Sequence, residues 1–152
     1  MRRKSAPPDA SRVQLRQQID TNLEKVFLEI TVRLMQFIPL AQNEDFSLEH
    51  AQAFMEKAEK QKRNCKPIKT KLRALSTGLY IEHGSWWPED GKAHFISYAQ
   101  IRKYITFKSK LQVLLLGIIH YDERRRAFMY IVTKGPIDTK SLCKVIESAD
   151  RQ

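Results

Sequence analysis

The run Leu111 to Tyr121, LQVLLLGIIHY, limits what this chain can fold into more than any other stretch. Both of its alternating faces are apolar, so as a strand it must be covered on both sides and lie centrally in its sheet. It is too short to span a bilayer, and Gln112 and His120 interrupt it. Strand candidates flank it at Ile101 to Phe107 and Ala127 to Thr133, and the KSK and DERRR segments between them are polar and short enough for hairpins. An antiparallel meander follows. After Gly135-Pro136, the segment Asp138 to Ala149 sets Leu142, Val145, Ile146 and Ala149 at helical spacing, with Asp138 or Thr139 able to cap its start. The expected helix has an apolar stripe to lay on the sheet.

A length of 152 residues suits a single domain with one buried core, and 42% hydrophobic content with few Gly and Pro is ordinary for a globular chain. The net charge of +10 is the departure, and it favours anionic partners: nucleic acid, anionic lipid, or acidic and phosphorylated peptides. Cys65 and Cys143 lie far apart and in neither CxxC nor metal spacing, which suits two free thiols in a reducing compartment. MRRKS at the start has no apolar segment behind it and does not read as a signal peptide. A cytosolic or nuclear protein is expected.

Residues 1–11 are polar and basic with Pro7-Pro8 and read as a mobile arm, leaving 12–152 as the domain. From Val13 to Leu40 the apolar residues fit both a helix face and a strand face. We divide the stretch into a helix over Arg12 to Asn22 and a strand over Lys25 to Gln36, because VFLEITVRL sets Glu29, Thr31 and Arg33 between β-formers. A second helix starts at Ser47 as cap, with Leu48, Ala51, Met55 and Ala58 at helical spacing, and runs to about Arg63 before Pro67. A basic run follows from Lys57 to Arg73. In IKTKLRALSTGLYIEH, Ile68, Leu72 and Ala74 alternate with Lys69, Lys71 and Arg73, giving a hairpin with one basic face and a strand at Leu79 to Glu82. After the loop GSWWPEDGK, in which adjacent tryptophans on a strand would face opposite ways and leave at most one exposed, comes the strand Ala93 to Ala99. The class is α+β with an antiparallel sheet.

The order of VFLEITVRLMQF, a helix, KLRALSTGLYIEH, HFISYAQIRKYITF, a long apolar strand, another strand and a closing helix resembles the phosphotyrosine-binding or phosphotyrosine-interaction (PTB/PID) domains of the PH-like superfold. The resemblance covers Leu23 to Ala149. It implies a barrel or sandwich of about seven strands capped by the last helix, acting as a non-enzymatic adaptor for a protein partner in signalling. It also implies that an extended peptide, often of Asn-Pro-x-Tyr type, adds as a strand between the fifth strand and the closing helix. On this chain the peptide site falls on Ile101, Arg102, Lys103, Tyr104, Ile105, Thr106 and Phe107 with Leu142, Val145, Ile146 and Ala149. Phosphate recognition needs cations at the groove's end, for which Arg102, Lys103 and the turn residues Arg124, Arg125 and Arg126 are available. The closing helix lacks the Phe often set against the peptide turn. Phosphoinositide contact, as in some members, would use Lys66, Lys69, Lys71 and Arg73, at a cytoplasmic membrane surface.

No ligand spacing among His50, His83, His94 and His120, no Gly-rich phosphate loop and no GxSxG turn points to an enzyme, a metal or a cofactor. The competing class is nucleic-acid binding, with the basic hairpin and arm on phosphates and Tyr80, Tyr98, Tyr104 or a Trp stacking on bases. It lacks an RNP-like phrase, a KH-type GxxG or a zinc motif. A third is a structural assembly domain whose edge strand pairs with a permanent partner.

Overall fold

A computed structural model of the chain describes residues 25–61, 66–122 and 124–150. The expected arm and the helix over Arg12 to Asn22 lie outside them. The strands are β1 Leu28–Pro39, β2 Ile68–Ala74, β3 Gly78–Ile81, β4 Phe95–Ser97, β5 Ile101–Phe107, β6 Lys110–Ile119 and β7 Arg126–Thr133, with helices α1 Leu48–Lys60 and α2 Pro136–Asp150. They form one antiparallel seven-stranded sheet in the order β4-β3-β2-β1-β7-β6-β5. This is the α+β arrangement read from the sequence.

The sheet curls so that one face encloses the main core. Ile30, Val32 and Leu34 of β1, Leu72 of β2, Leu79 and Ile81 of β3, Ile96 of β4, and Leu114, Leu116 and Ile118 of β6 meet there with Met129 and Ile131 of β7 and with Leu142 and Ile146 of α2. The opposite faces of β6 and β7, where Val113, Leu115, Phe128 and Tyr130 lie, would be wet without a second cover. Helix α1 supplies it with Ala51, Met55 and Ala58. The run LQVLLLGIIHY is therefore apolar on both faces because it has a core on both faces.

The chain enters α1 through a built cap. Ser47 is extended (φ −75°, ψ 157°) and its hydroxyl oxygen accepts from the His50 N–H at 3.2 Å. Asp45 accepts from the Ser47 N–H at 3.0 Å and its carboxylate lies 2.9 Å from the His50 ring. These contacts hold the Asp45 carboxyl below its ordinary range and push the His50 imidazole up. At the far end Glu59 pairs with Lys110 of the β5–β6 hairpin.

The structure moves several expected boundaries. Strand β1 ends at Pro39 rather than Gln36, because a bulge between Leu34 and Gln36 lets the strand continue against β7 while its faces exchange. After the bulge Phe37 turns to the main core and Ile38 to the α1 side. Helix α2 begins at Pro136 rather than at an Asp138 or Thr139 cap, with the Thr139 N–H donating to the Gly135 carbonyl at 3.3 Å. Proline suits a first helical position because the N–H it lacks would have no partner there. The Thr139 hydroxyl instead bonds the Thr133 hydroxyl at 2.8 Å and fastens the helix to the end of β7. Both Trp86 and Trp87 are buried, at 1% and 4% exposure. They sit in a loop, where strand alternation does not govern direction. Trp86 donates to the His94 carbonyl at 3.1 Å, and Trp87 packs edge-on to Phe37 at 4.8 Å.

Gly117 is where β6 meets the entry to α1. A Cβ there would lie 2.8 Å from the Phe46 ring, which is itself held edge-on to Phe128 at 5.4 Å. Gly117→Ala is expected to lower stability by about 1–3 kcal/mol, the usual range for overpacking a filled site. Urea unfolding measures it, and an unchanged midpoint would mean that Phe46 swings away freely and does not anchor α1.

Candidate functional site

Among the described residues, strand β5 pairs with β6 on one side and ends the sheet on the other. Helix α2 runs beside that free edge, and the two are separated by a groove of about 430 Å3. From the strand side it is lined by Tyr104, Thr106, Phe107 and Lys108, with Leu111 at the start of β6. From the helix side come Pro136, Thr139, Lys140, Cys143 and Glu147, spaced as one face of α2. The Tyr104 hydroxyl donates to the Glu147 carboxylate across the seam. Burial pushes the Cys143 thiol up to about 11, so it is a protonated, packed side chain. Cys65 lies outside the described residues.

The expected site residues divide between this groove and the core. Tyr104, Thr106 and Phe107 line the groove, and Arg102 and Lys103 are exposed on the same strand. Ile101 and Ile105 are buried at 4% and 6% exposure, and Leu142 and Ile146 at 0% and 1%. These four are core contacts, so a charge placed at Ile105 or Ile146 would strike folding before any ligand. Val145 and Ala149 are half-buried and face a separate depression of about 230 Å3 with Phe27, Leu75 and Tyr98. The sequence reading missed Thr139, Lys140, Cys143 and Glu147 because it followed the apolar stripe. The groove face is the adjacent, polar stripe.

The basic residues also separate. Lys66, Lys69 and Lys71 are exposed. Arg33 of β1 is in register with Lys69 and is exposed beside it. Arg73 is instead held by two carboxylates, Glu29 and Glu82, each at 2.7 Å. Those bonds raise the guanidinium's already high pKa and hold the Glu82 carboxyl below its ordinary value. Arg73 is thus a clasp joining β1, β2 and the end of β3, not a loose cation of the face.

Of the turn arginines Arg124 is exposed, whereas Arg125 and Arg126 are likewise engaged. Arg125 pairs with Glu89 and lies over the Trp87 ring at 5.4 Å. Arg126 donates to the Ala41 and Gln42 carbonyls at 3.1 and 3.3 Å. Of the aromatics offered for base stacking, Tyr98 is buried with its hydroxyl on the Leu75 carbonyl at 2.6 Å, and both tryptophans are internal. His120 bonds Asp90 at 2.9 Å, and its ring lies 5.2 Å from Trp87.

The architecture matches solved PH-domain structures. The crystal structure of the PDZ-RhoGEF DH/PH domains in complex with GTP-γ-S-activated RhoA aligns with a TM-score of 0.55 over 97% of this chain, at 8% identity. That of the p115-RhoGEF DH/PH domains aligns with a TM-score of 0.53 over 95%, also at 8% identity. The chain covers 34% and 36% of those two chains, so the likeness is to part of each, and it establishes a PH-like fold. Residues 22–152 match the trematode PH-like domain family, and the chain belongs to that family. No curated protein matches it in sequence.

Because Arg73 and Glu82 bond through the ionised carboxylate, their contribution is present above the unfolded glutamate pKa and is lost as pH falls through the lower folded one. Arg73→Met should therefore be less stable than wild type at neutral pH, with the gap narrowing as pH drops below the ordinary glutamate value near 4.5. Denaturant titrations across that range test it. A gap independent of pH would assign the loss to packing of the arginine stem.

Proposed function

We propose that this PH-like chain is a non-enzymatic adaptor module that takes an extended peptide of a protein partner as an additional strand on β5, beside α2. The observation that carries the reading is the combination of a free sheet edge with an adjoining groove of about 430 Å3. An edge strand offers main-chain donors and acceptors along its length, and the groove offers room for alternate side chains of whatever pairs with it. This is the peptide mode implied by the likeness to phosphotyrosine-binding domains, and Asn-Pro-x-Tyr segments are its first candidates. A signalling role in the cytoplasm goes with it. The crystal structure with RhoA concerns a different protein, and it is an instance of a PH-containing unit in a protein complex.

Amide NMR titration with an Asn-Pro-x-Tyr peptide, phosphorylated and unphosphorylated, tests the reading. Shifts should concentrate on β5 and on the Thr139, Lys140, Cys143 and Glu147 face of α2. Thr106 is exposed and lines the groove, so Thr106→Arg should weaken peptide binding about tenfold or more without changing stability. Shifts elsewhere, or a T106R protein that binds normally, would remove the strand-addition reading. Salt-sensitive shifts over the basic hairpin with a single-stranded oligonucleotide, and silence with peptides, would favour nucleic acid instead.

A second reading, contact with anionic lipid, is favoured by the exposed cations Arg33, Lys69 and Lys71 on adjoining strands, with Lys66 just before β2. Each basic residue near an anionic surface is worth on the order of 1 kcal/mol. Lys69→Glu with Lys71→Glu should weaken binding to phosphoinositide-containing vesicles by at least about tenfold, measured by co-sedimentation. Binding equal to wild type would remove this reading.

A further inference from the structure

Within the β5–α2 seam the charges are unbalanced in one place. The groove's one lining carboxylate, Glu147, already accepts the Tyr104 hydroxyl, and Asp138 of the first turn of α2 lies off the groove face. Lys110 of the neighbouring hairpin is paired with Glu59. Lys108 and Lys140 face the groove from its two walls, and among the described residues neither is in an ion pair. Beside them the lining turns apolar, with Phe107, Leu111 and Pro136 next to the buried Cys143. Leu111 is 55% exposed. An apolar hollow with two uncompensated ammonium groups at its rim is complementary to an apolar side chain with a carboxylate close by.

The sheet sets where that carboxylate must stand. Every strand pair is antiparallel, so a strand continuing the pattern on β5 has its N-terminal end beside Phe107 and its C-terminal end beside Ile101. Residues opposite one another across a ladder point to the same side. The peptide residue opposite Thr106 therefore faces the hollow, and the one two places before it passes the end of β5 at Phe107, where the turn residue Lys108 lines the groove. Resting on the strand-addition reading above, we infer that the groove selects an acidic residue two positions N-terminal to a bulky apolar one, with Lys108 and Lys140 reading the carboxylate. The partner is thus an acidic, extended protein segment. Because the lysines are solvated, this is discrimination by screened charge and weakens with salt.

The test uses four acetylated, amidated peptides on the whole chain: Ser-Glu-Thr-Leu-Thr-Thr-Thr-Ser, the same with Gln or with Lys for Glu, and the order-reversed Ser-Leu-Thr-Glu-Thr-Thr-Thr-Ser. Affinities come from amide shifts at low and high salt. The Glu-first peptide should bind about three- to tenfold tighter than the Gln and order-reversed peptides at low salt, the range expected for one carboxylate shared by two exposed cations. That preference should fall away at high salt and reverse toward a Lys-first peptide in Lys108→Glu with Lys140→Glu. Equal affinities with shifts confined to β5 and α2 would overturn the acidic preference and leave strand addition standing. Absence of shifts at β5 and α2 with every peptide would overturn both. Shifts at β5 that grow with protein concentration alone would assign the edge to a second copy of the chain and overturn the peptide assignment.

Discussion

Strands β6 and β7 are apolar on both faces, and every other element is placed by the need to cover them. Leu114, Leu116, Met129 and Ile131 are covered by the rest of the curled sheet and by α2. Leu115, Phe128 and Tyr130 are covered by α1, where Phe46 and Phe54 both meet the Phe128 ring edge-on at 5.4 and 5.6 Å. With both helices committed to faces, the ends of the sheet are left to manage themselves. Strand β4 does so by being 3 residues long. Strand β5 carries exposed Arg102 and Lys103, charges that discourage edge-to-edge pairing between copies while leaving the main chain open to a complementary segment.

The net charge of +10 is less free than the sequence suggests. Arg73, Arg125 and Arg126 all bond to neighbouring carboxylates or carbonyls and join loops to strands. Arginine suits that work because its planar fork reaches more than one acceptor. The solvated charge that remains is largely lysine. Among the described residues, two of its groups, on the outward faces of β1 and β2 and at the rim of the β5–α2 groove, lie apart, so the proposed peptide and lipid contacts should be separable by mutation.

Much of the fold was legible in the sequence for identifiable reasons. The end of β5 at Phe107 is set off by a polar turn, and the burial of β6 on both sides follows from its two apolar faces, although β6 stands next to the edge strand β5 rather than at the middle of the sheet. Ser47 declared the start of α1 through its cap. Other features depend on contacts distant in sequence and leave no local mark. The bulge in β1 exists because the strand serves β2 with one half and β7 with the other. The burial of Trp87 depends on Phe37, His120 and Arg125, which come from three different segments.

The groove face of α2 was hidden for a different physical reason. An apolar stripe announces itself because it is buried in the folded chain at all times, as Leu142 and Ile146 are. A helix wall facing a seam that stands open to water cannot carry a full apolar stripe without enlarging the sticky patch that Phe107, Leu111 and Pro136 already make. Beyond Pro136 it presents Thr139, Lys140 and Glu147 with the small Cys143, and is bridged to the strand by the Tyr104 to Glu147 hydrogen bond. Such residues are those a solvated helix face also uses, so periodicity cannot tell the two apart. Only the placement of β5 beside α2 does.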